Sequence, residues 1–176
     1  MSSRNEHVKY AVTIDRPRME VYEFWRNWSN LPRFSPHLVS VRPVGENITE
    51  WTASAPRGTV TWRAETVEDT PGEQIGWRSI EGSEIENHGV VQFLDAPDNR
   101  GTEVRLYLSY EPKGGVLGKL VAKSTGNEPE QEVGEMMRRF KCLLECGELP
   151  VVEGQPSNLM RGENQPGEAA AKVGLR

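Results

Sequence analysis

The stretch Gly114–Gly147, GGVLGKLVAKSTGNEPEQEVGEMMRRFKCLLECG, decides how the rest of the chain is arranged. In its second half Val133, Met136, Met137, Phe140, Leu143 and Leu144 recur at three- and four-residue steps, the spacing of an amphipathic helix. Glu132, Glu135, Arg138, Arg139, Lys141 and Glu145 fall on the opposite face. A helix with so long an apolar stripe has to bury it. Almost everything upstream reads as strands, so the economical architecture is one sheet wrapped around one C-terminal helix. Ser124-Thr-Gly-Asn127 interrupts the pattern, and Pro129 restarts it at a first-turn position. The stretch therefore divides into a glycine hinge over 114–118, a short helical lead to Ala122 and a long helix from Pro129 to about Gly147, with Gly147 as its stop.

Working outward from that helix, strand signals come in a regular series. His7 to Ile14 alternates, with Val8, Tyr10, Val12 and Ile14 on one side. Pro17, Glu20 and the apolar Met19, Val21, Tyr22, Phe24 and Trp25 then predict a short helix. Ser29 is placed to cap a second helix holding Leu31, Phe34 and Leu38, closed by Pro36. Further strands are expected from Val39, Glu50, Gly58, Gln74, Asn87 and Thr102, divided by turns such as Gly45-Glu-Asn47, Pro71-Gly72 and Pro97 to Gly101. Such short connections suit an antiparallel meander. Alternation puts Val60, Trp62 and Ala64, Ile75 and Trp77, Gly89, Val91 and Phe93, and Val104, Leu106, Leu108 and Tyr110 on the packed face. Arg63, Glu65, Arg78, Gln92, Glu103 and Arg105 fall on the wet one, where cross-strand ion pairs stabilise by less than about 1 kcal/mol.

The fold class expected is thus α+β: a curved antiparallel sheet of about seven strands around a long C-terminal helix, with two short helices after the first strand. One domain over residues 1–149 is the natural division of a 176-residue chain, and 150–176, rich in Gly, Pro, Glu, Asn and Gln, reads as a disordered tail. A net charge of −5 without a basic stripe argues against nucleic acid. With no secretory leader pattern at Met1 to Val12 and no run near the ~18 apolar residues of a membrane span, the expectation is a cytoplasmic protein without stable membrane insertion. Oligomeric state is left open. Cys142 and Cys146, one helical turn apart, suit reduced thiols at a helix edge. No metal-ligand cluster, phosphate-cradling loop or Ser/His/Asp order is visible, so neither metal nor cofactor is expected.

Several segments carry a family resemblance: Ile14-Asp-Arg-Pro17 followed by Val21-Tyr-Glu-Phe-Trp25, Asn30-Leu-Pro-Arg-Phe34, Ile75-Gly-Trp-Arg-Ser79, Gly101-Thr-Glu-Val104, Tyr110-Glu-Pro112 and Phe140-Lys141. Over residues 7 to 149 the chain resembles the SRPBCC or START-like superfamily, in its polyketide cyclase/dehydrase-like, coenzyme Q-binding-like branch. Pro112-Lys113 stands where the double proline of that family is more usual. The resemblance implies a helix-grip fold with an apolar cavity between sheet and helix, which different members use for lipids, quinones, polyketides or hormones. It does not designate the ligand.

Trp51, Trp62 and Trp77, on the inward register of three strands, are expected to face Met136, Met137 and Phe140. Aromatic and methionine walls offer large, adaptable contact to a flat apolar molecule, although the same residues also make ordinary core. With Phe34, Phe93 and Tyr110 they form the candidate ligand lining, and an apolar small molecule is the expected partner. An enzyme reading, cyclase or dehydrase, would draw its acid or base from His37 beside the expected cavity mouth, from His88 or from Tyr110. His88 belongs by alternation to the face opposite Val91 and Phe93, and His7 is terminal. A third possibility is a protein or membrane interaction module, which a large exposed apolar patch would favour.

Overall fold

A computed structural model of the chain describes residues 6–55, 57–110 and 129–147. The strands are β1 (Glu6–Ile14), β2 (Leu38–Pro43), β3 (Ile48–Ala55), β4 (Gly58–Thr70), β5 (Gln74–Ser79), β6 (Asn87–Asp95) and β7 (Thr102–Tyr110). They form one seven-stranded sheet in the order β1-β7-β6-β5-β4-β3-β2, antiparallel throughout. Strands β2 to β7 meander, and the sheet is completed when the first strand pairs with the last, Val8 opposite Leu108 and Val12 opposite Val104. Helices α1 (Arg18–Arg26) and α2 (Leu31–Phe34) fill the connection after β1, and α3 (Pro129–Cys146) follows the sheet.

Helix α3 buries Val133, Met137, Phe140 and Leu143, with Met136 and Leu144 partly covered, which is the stripe read from the sequence. It packs against β1 and α2. Its last turn is fastened to the end of β1: Lys141 Nζ donates to the Thr13 carbonyl at 2.7 Å, and Asp15 N donates to Glu145 Oε1 at 2.8 Å. Arg16 Nη2 donates to the Glu145 carbonyl at 2.9 Å, supplying one of the donors that the last helical carbonyls lack. Gly147 ends the helix at φ 72°, its N–H on the Leu143 carbonyl, a left-handed stop that a Cβ would strain.

The connection after β1 differs from the sequence expectation. Ser29 caps no helix; Trp28–Asn30 is a 3-10 turn that runs into the single helical turn of α2, and Leu38 opens β2. Pro36 cannot extend a helix and biases the preceding residue away from the helical region, and Ser35 is extended at φ −109°, ψ 100°. Within α1, Val21, Tyr22 and Trp25 are buried, whereas Met19 is 47% exposed and lies over Gly72 instead of in the core. Strand β4 runs on to Thr70 through a register shift between Thr66 and Glu68, leaving Val67 exposed. A second shift between Leu38 and Ser40 turns Val39 outward while Val41 is buried. The expected hinge over 114–118, the helical lead to Ala122 and the tail from Pro150 lie outside the described residues.

Candidate functional site

The packed face of the sheet is built from cross-strand pairs, and its aromatic content is concentrated at one end. Trp51 on β3 stands directly opposite Trp62 on β4, their rings 5.8 Å apart. Trp77 on β5 lies opposite Gly89 on β6, and a Cβ on Gly89 would stand 2.4 Å from the Trp77 ring. The glycine therefore lets the indole lie flat over the neighbouring strand. Trp28, from the 3-10 turn, closes the group with ring centroids 5.6 Å from Trp51 and 5.7 Å from Trp77. All four indoles are buried.

A second aromatic cluster belongs to the helices. Phe140 of α3 meets Phe34 at 4.8 Å, Trp25 at 5.1 Å in edge-to-face geometry and Phe24 at 6.1 Å. Phe93 packs edge-on to Tyr22 at 5.8 Å. Of the expected lining, then, the ring contacts of Trp51, Trp62 and Trp77 run among themselves and to Trp28, and those of Phe34 and Phe140 run to each other and to α1. Met137 is wholly buried and Met136 partly so. Tyr110 ends β7 opposite Asn87, and its side chain lies outside the described residues.

Between the indoles runs a band that the alternation of apolar residues does not announce. Thr49 lies opposite Ala64, Ala64 opposite Ser79, and Ser79 Oγ accepts from the Asn87 N–H at 3.1 Å. Thr49 and Asn87 are buried polar residues in that band, and Thr102 and Ser109 on β7 are buried polar residues too. Thr49 Oγ1 accepts the Trp51 indole N–H at 2.8 Å. The indole nitrogens of Trp25, Trp28 and Trp62, the amide oxygen of Asn87 and the hydroxyl of Ser109 are buried without a hydrogen-bond partner among the described residues. Buried polar groups are nearly always paired, so the indole and amide atoms distinguish the interior from plain core. Sequence reasoning missed Trp28, whose three-residue step from Trp25 was the available signal, and missed the band, because Thr49, Ser79 and Asn87 fall at strand ends where polar residues are usual.

Of the histidines, His37 just precedes β2 and is half-buried, its Nε2 2.8 Å from Glu132 Oε2 of α3. An ionised carboxylate only accepts, so Nε2 carries the proton in this pair. His88 is exposed on the outer face, in register with Arg78 and Ser109. That face also carries the solvated ion pairs Arg78–Glu65 at 3.2 Å and Arg63–Glu50 at 3.4 Å. Where β4 meets α1, the Tyr22 hydroxyl donates to one oxygen of Asp69 and Arg26 Nε to the other. Burial, reinforced by the Asp69 carboxylate, pushes the Tyr22 phenol up to about 12. Among the described residues no group of three His, Cys, Asp or Glu side chains is placed to hold a metal ion, and no helix is long and apolar enough to cross a membrane.

A seven-stranded antiparallel sheet gripping a C-terminal helix, with short helices after the first strand, is the helix-grip fold. The crystal structure of DR_A0006 from Deinococcus radiodurans shares it at a TM-score of 0.67 and 39% identity, covering 81% of this chain and 100% of that one. The Zhui aromatase/cyclase from Streptomyces sp. R1128 matches in fold, with a TM-score of 0.56 at 17% identity over 77% of this chain and 96% of its own. A 17.2 kDa protein in the melC2-rnhH intergenic region of Streptomyces lincolnensis is 25% identical over 141 residues, covering 80% of this chain and 91% of that protein. The sequence profile described as "Polyketide cyclase / dehydrase and lipid transport" matches residues 14–138. The chain belongs to that family.

Proposed function

We propose that the protein binds an apolar small molecule, lipid-like, quinone-like or aromatic, between the packed face of the sheet and α3. The observation that carries this reading is the buried group of four indoles, Trp28, Trp51, Trp62 and Trp77, gathered on one patch of that face. Indoles give large, flat contact area with little rotamer entropy to lose, which suits a ligand wall. Membership of a family whose description includes both polyketide chemistry and lipid transport supports the same reading. Native mass spectrometry and solvent extraction of the freshly purified full chain should release a co-purifying apolar molecule. Absence of any such molecule, together with no rise in Tm on adding palmitate or polycyclic aromatics, would overturn it.

A second reading, a cyclase or dehydrase, is favoured by one observation: His37 is held by the Glu132 carboxylate, and a half-buried imidazole oriented through one nitrogen presents the other as a base. His88, on the outer face, is poorly placed for interior chemistry. Once a substrate is in hand, unchanged kcat in His37→Ala would remove this reading, whereas a loss of 10²-fold or more would support it.

A further inference from the structure

We infer that the outer face of the sheet carries a second site, for a small phosphorylated amine of the phosphoethanolamine type, in a hollow of about 430 Å³ where β5, β6 and β7 lie side by side. This hollow is on the opposite side of the sheet from the interior site, and neither depends on the other. Strand register builds it. Arg78 of β5 stands opposite His88 of β6, and His88 opposite Ser109 of β7, so the three residues form one row across three strands. The packed-face residues Trp77, Gly89 and Leu108 alternate with them, which turns the row outward. The register shift in β4 brings Val67 out to the same hollow, 51% exposed.

Ser109 supplies the sign of a ligand. It lines the hollow and is only 4% exposed, and its hydroxyl has no hydrogen-bond partner among the described residues. An unpaired buried hydroxyl is destabilising, and a ligand that pairs it recovers that loss. Beside it His88 is exposed, and the guanidinium of Arg78 gives only Nη2 to Glu65, at 3.2 Å, leaving further N–H groups for a ligand.

The lining defines the chemistry of the occupant. Guanidinium, imidazole and hydroxyl donate from three neighbouring strands, and a tetrahedral oxyanion offers oxygens in as many directions, which a planar carboxylate does not. Glu81 and Glu86 line the hollow as well. Glu86 precedes His88 by two residues, about 7 Å at the rise of a strand, so negative charge lies one step along from the row. A plain phosphate would meet those carboxylates as like charges, whereas an ammonium carried a short distance from the phosphate is attracted to them. A phosphate monoester with an amine on a short carbon link supplies both halves.

Titration of the full chain with O-phosphoethanolamine, ethyl phosphate and ethanolamine tests this, because the last two are parts of the first. Phosphoethanolamine should bind at least ~10-fold tighter than either part. Glu86→Gln should weaken phosphoethanolamine yet tighten ethyl phosphate, a crossover that a merely structural role would not produce, and Arg78→Gln should weaken both. Ser109→Ala should raise the Tm of the free protein, since an unpaired hydroxyl is removed, while lowering affinity about 5- to 10-fold. Pelleting with vesicles of phosphatidylethanolamine and phosphatidylcholine, reversed by soluble phosphoethanolamine, would identify a lipid headgroup as the source; binding of the soluble ester without pelleting would identify the free ester. Equal affinity for phosphoethanolamine and ethyl phosphate, weakening of both by Glu86→Gln, or no binding of phosphoethanolamine at millimolar concentration would overturn the inference, and none of these results bears on the interior site.

Discussion

At the scale of single residues, Gly89 is where the candidate wall is most sensitive. Alanine there would drive a methyl group into the Trp77 ring, so Gly89→Ala should destabilise the fold by about 1–3 kcal/mol, read as a lower denaturation midpoint with unchanged m-value. Tyr22 makes a prediction in pH. Its phenol ionises at about 12 in the fold against 10.0 unperturbed, so below pH 10 both folded and unfolded chains keep the proton. Between about pH 10 and 12 the unfolded chain loses it first, and stability should fall as pH rises through that window. Spectrophotometric titration should show one of the four tyrosines lagging until unfolding, a lag absent in Tyr22→Phe. The sequence placed Gly89 on the packed face and Tyr22 on the apolar side of its helix, but their contacts with Trp77 and Asp69 are set by strand register and helix placement.

At the scale of elements, α3 is held at both ends by polar ties around an apolar middle. Near its start His37–Glu132 joins it to the segment before β2, and at its finish Glu145 and Lys141 join it to β1. A double-mutant cycle on His37→Ala and Glu132→Ala should give a coupling of about 0.5–1.5 kcal/mol, since the pair is hydrogen-bonded and largely shielded from water. A coupling near zero would show that the two elements are held by packing alone. Phe140→Ala, which opens a hole among Phe24, Trp25 and Phe34, should cost about 3–5 kcal/mol. The stripe of α3 was legible in the sequence because a helix that packs on one side must repeat every 3.6 residues. The element after α1 was not: Ser29 and Leu31 look like a cap and a helix start, but Pro36 and the pull of Leu38 into the sheet leave room for only one turn.

At the scale of the whole molecule, strand order was largely readable because short turns force neighbours in sequence to be neighbours in space. The pairing of β1 with β7 is the step that local signals do not specify, since Val8 meets Leu108 across nearly the full length of the sheet-forming chain. Closing so long a loop is slow, and β1 should dock late: Val8→Ala should act mainly on the unfolding rate, with a φ-value below about 0.3, and a φ near 1 would contradict late docking. The candidate site was half legible for a related reason. Alternation placed Trp51, Trp62 and Trp77 on the packed face, whereas Trp28 and the Thr49–Asn87 band acquire meaning only when separate strands and the 3-10 turn converge. The opposite margin of the sheet, β2, carries its own consequence. Its register shift at Val39 and its Pro43, which has no N–H to give, spoil the row of donors and acceptors that a free outer strand would otherwise offer to another chain. The irregularity in β2 thus acts as a guard against fibre-like stacking, and a variant with Pro43→Thr and one residue deleted at the bulge would present an uninterrupted template for strand addition.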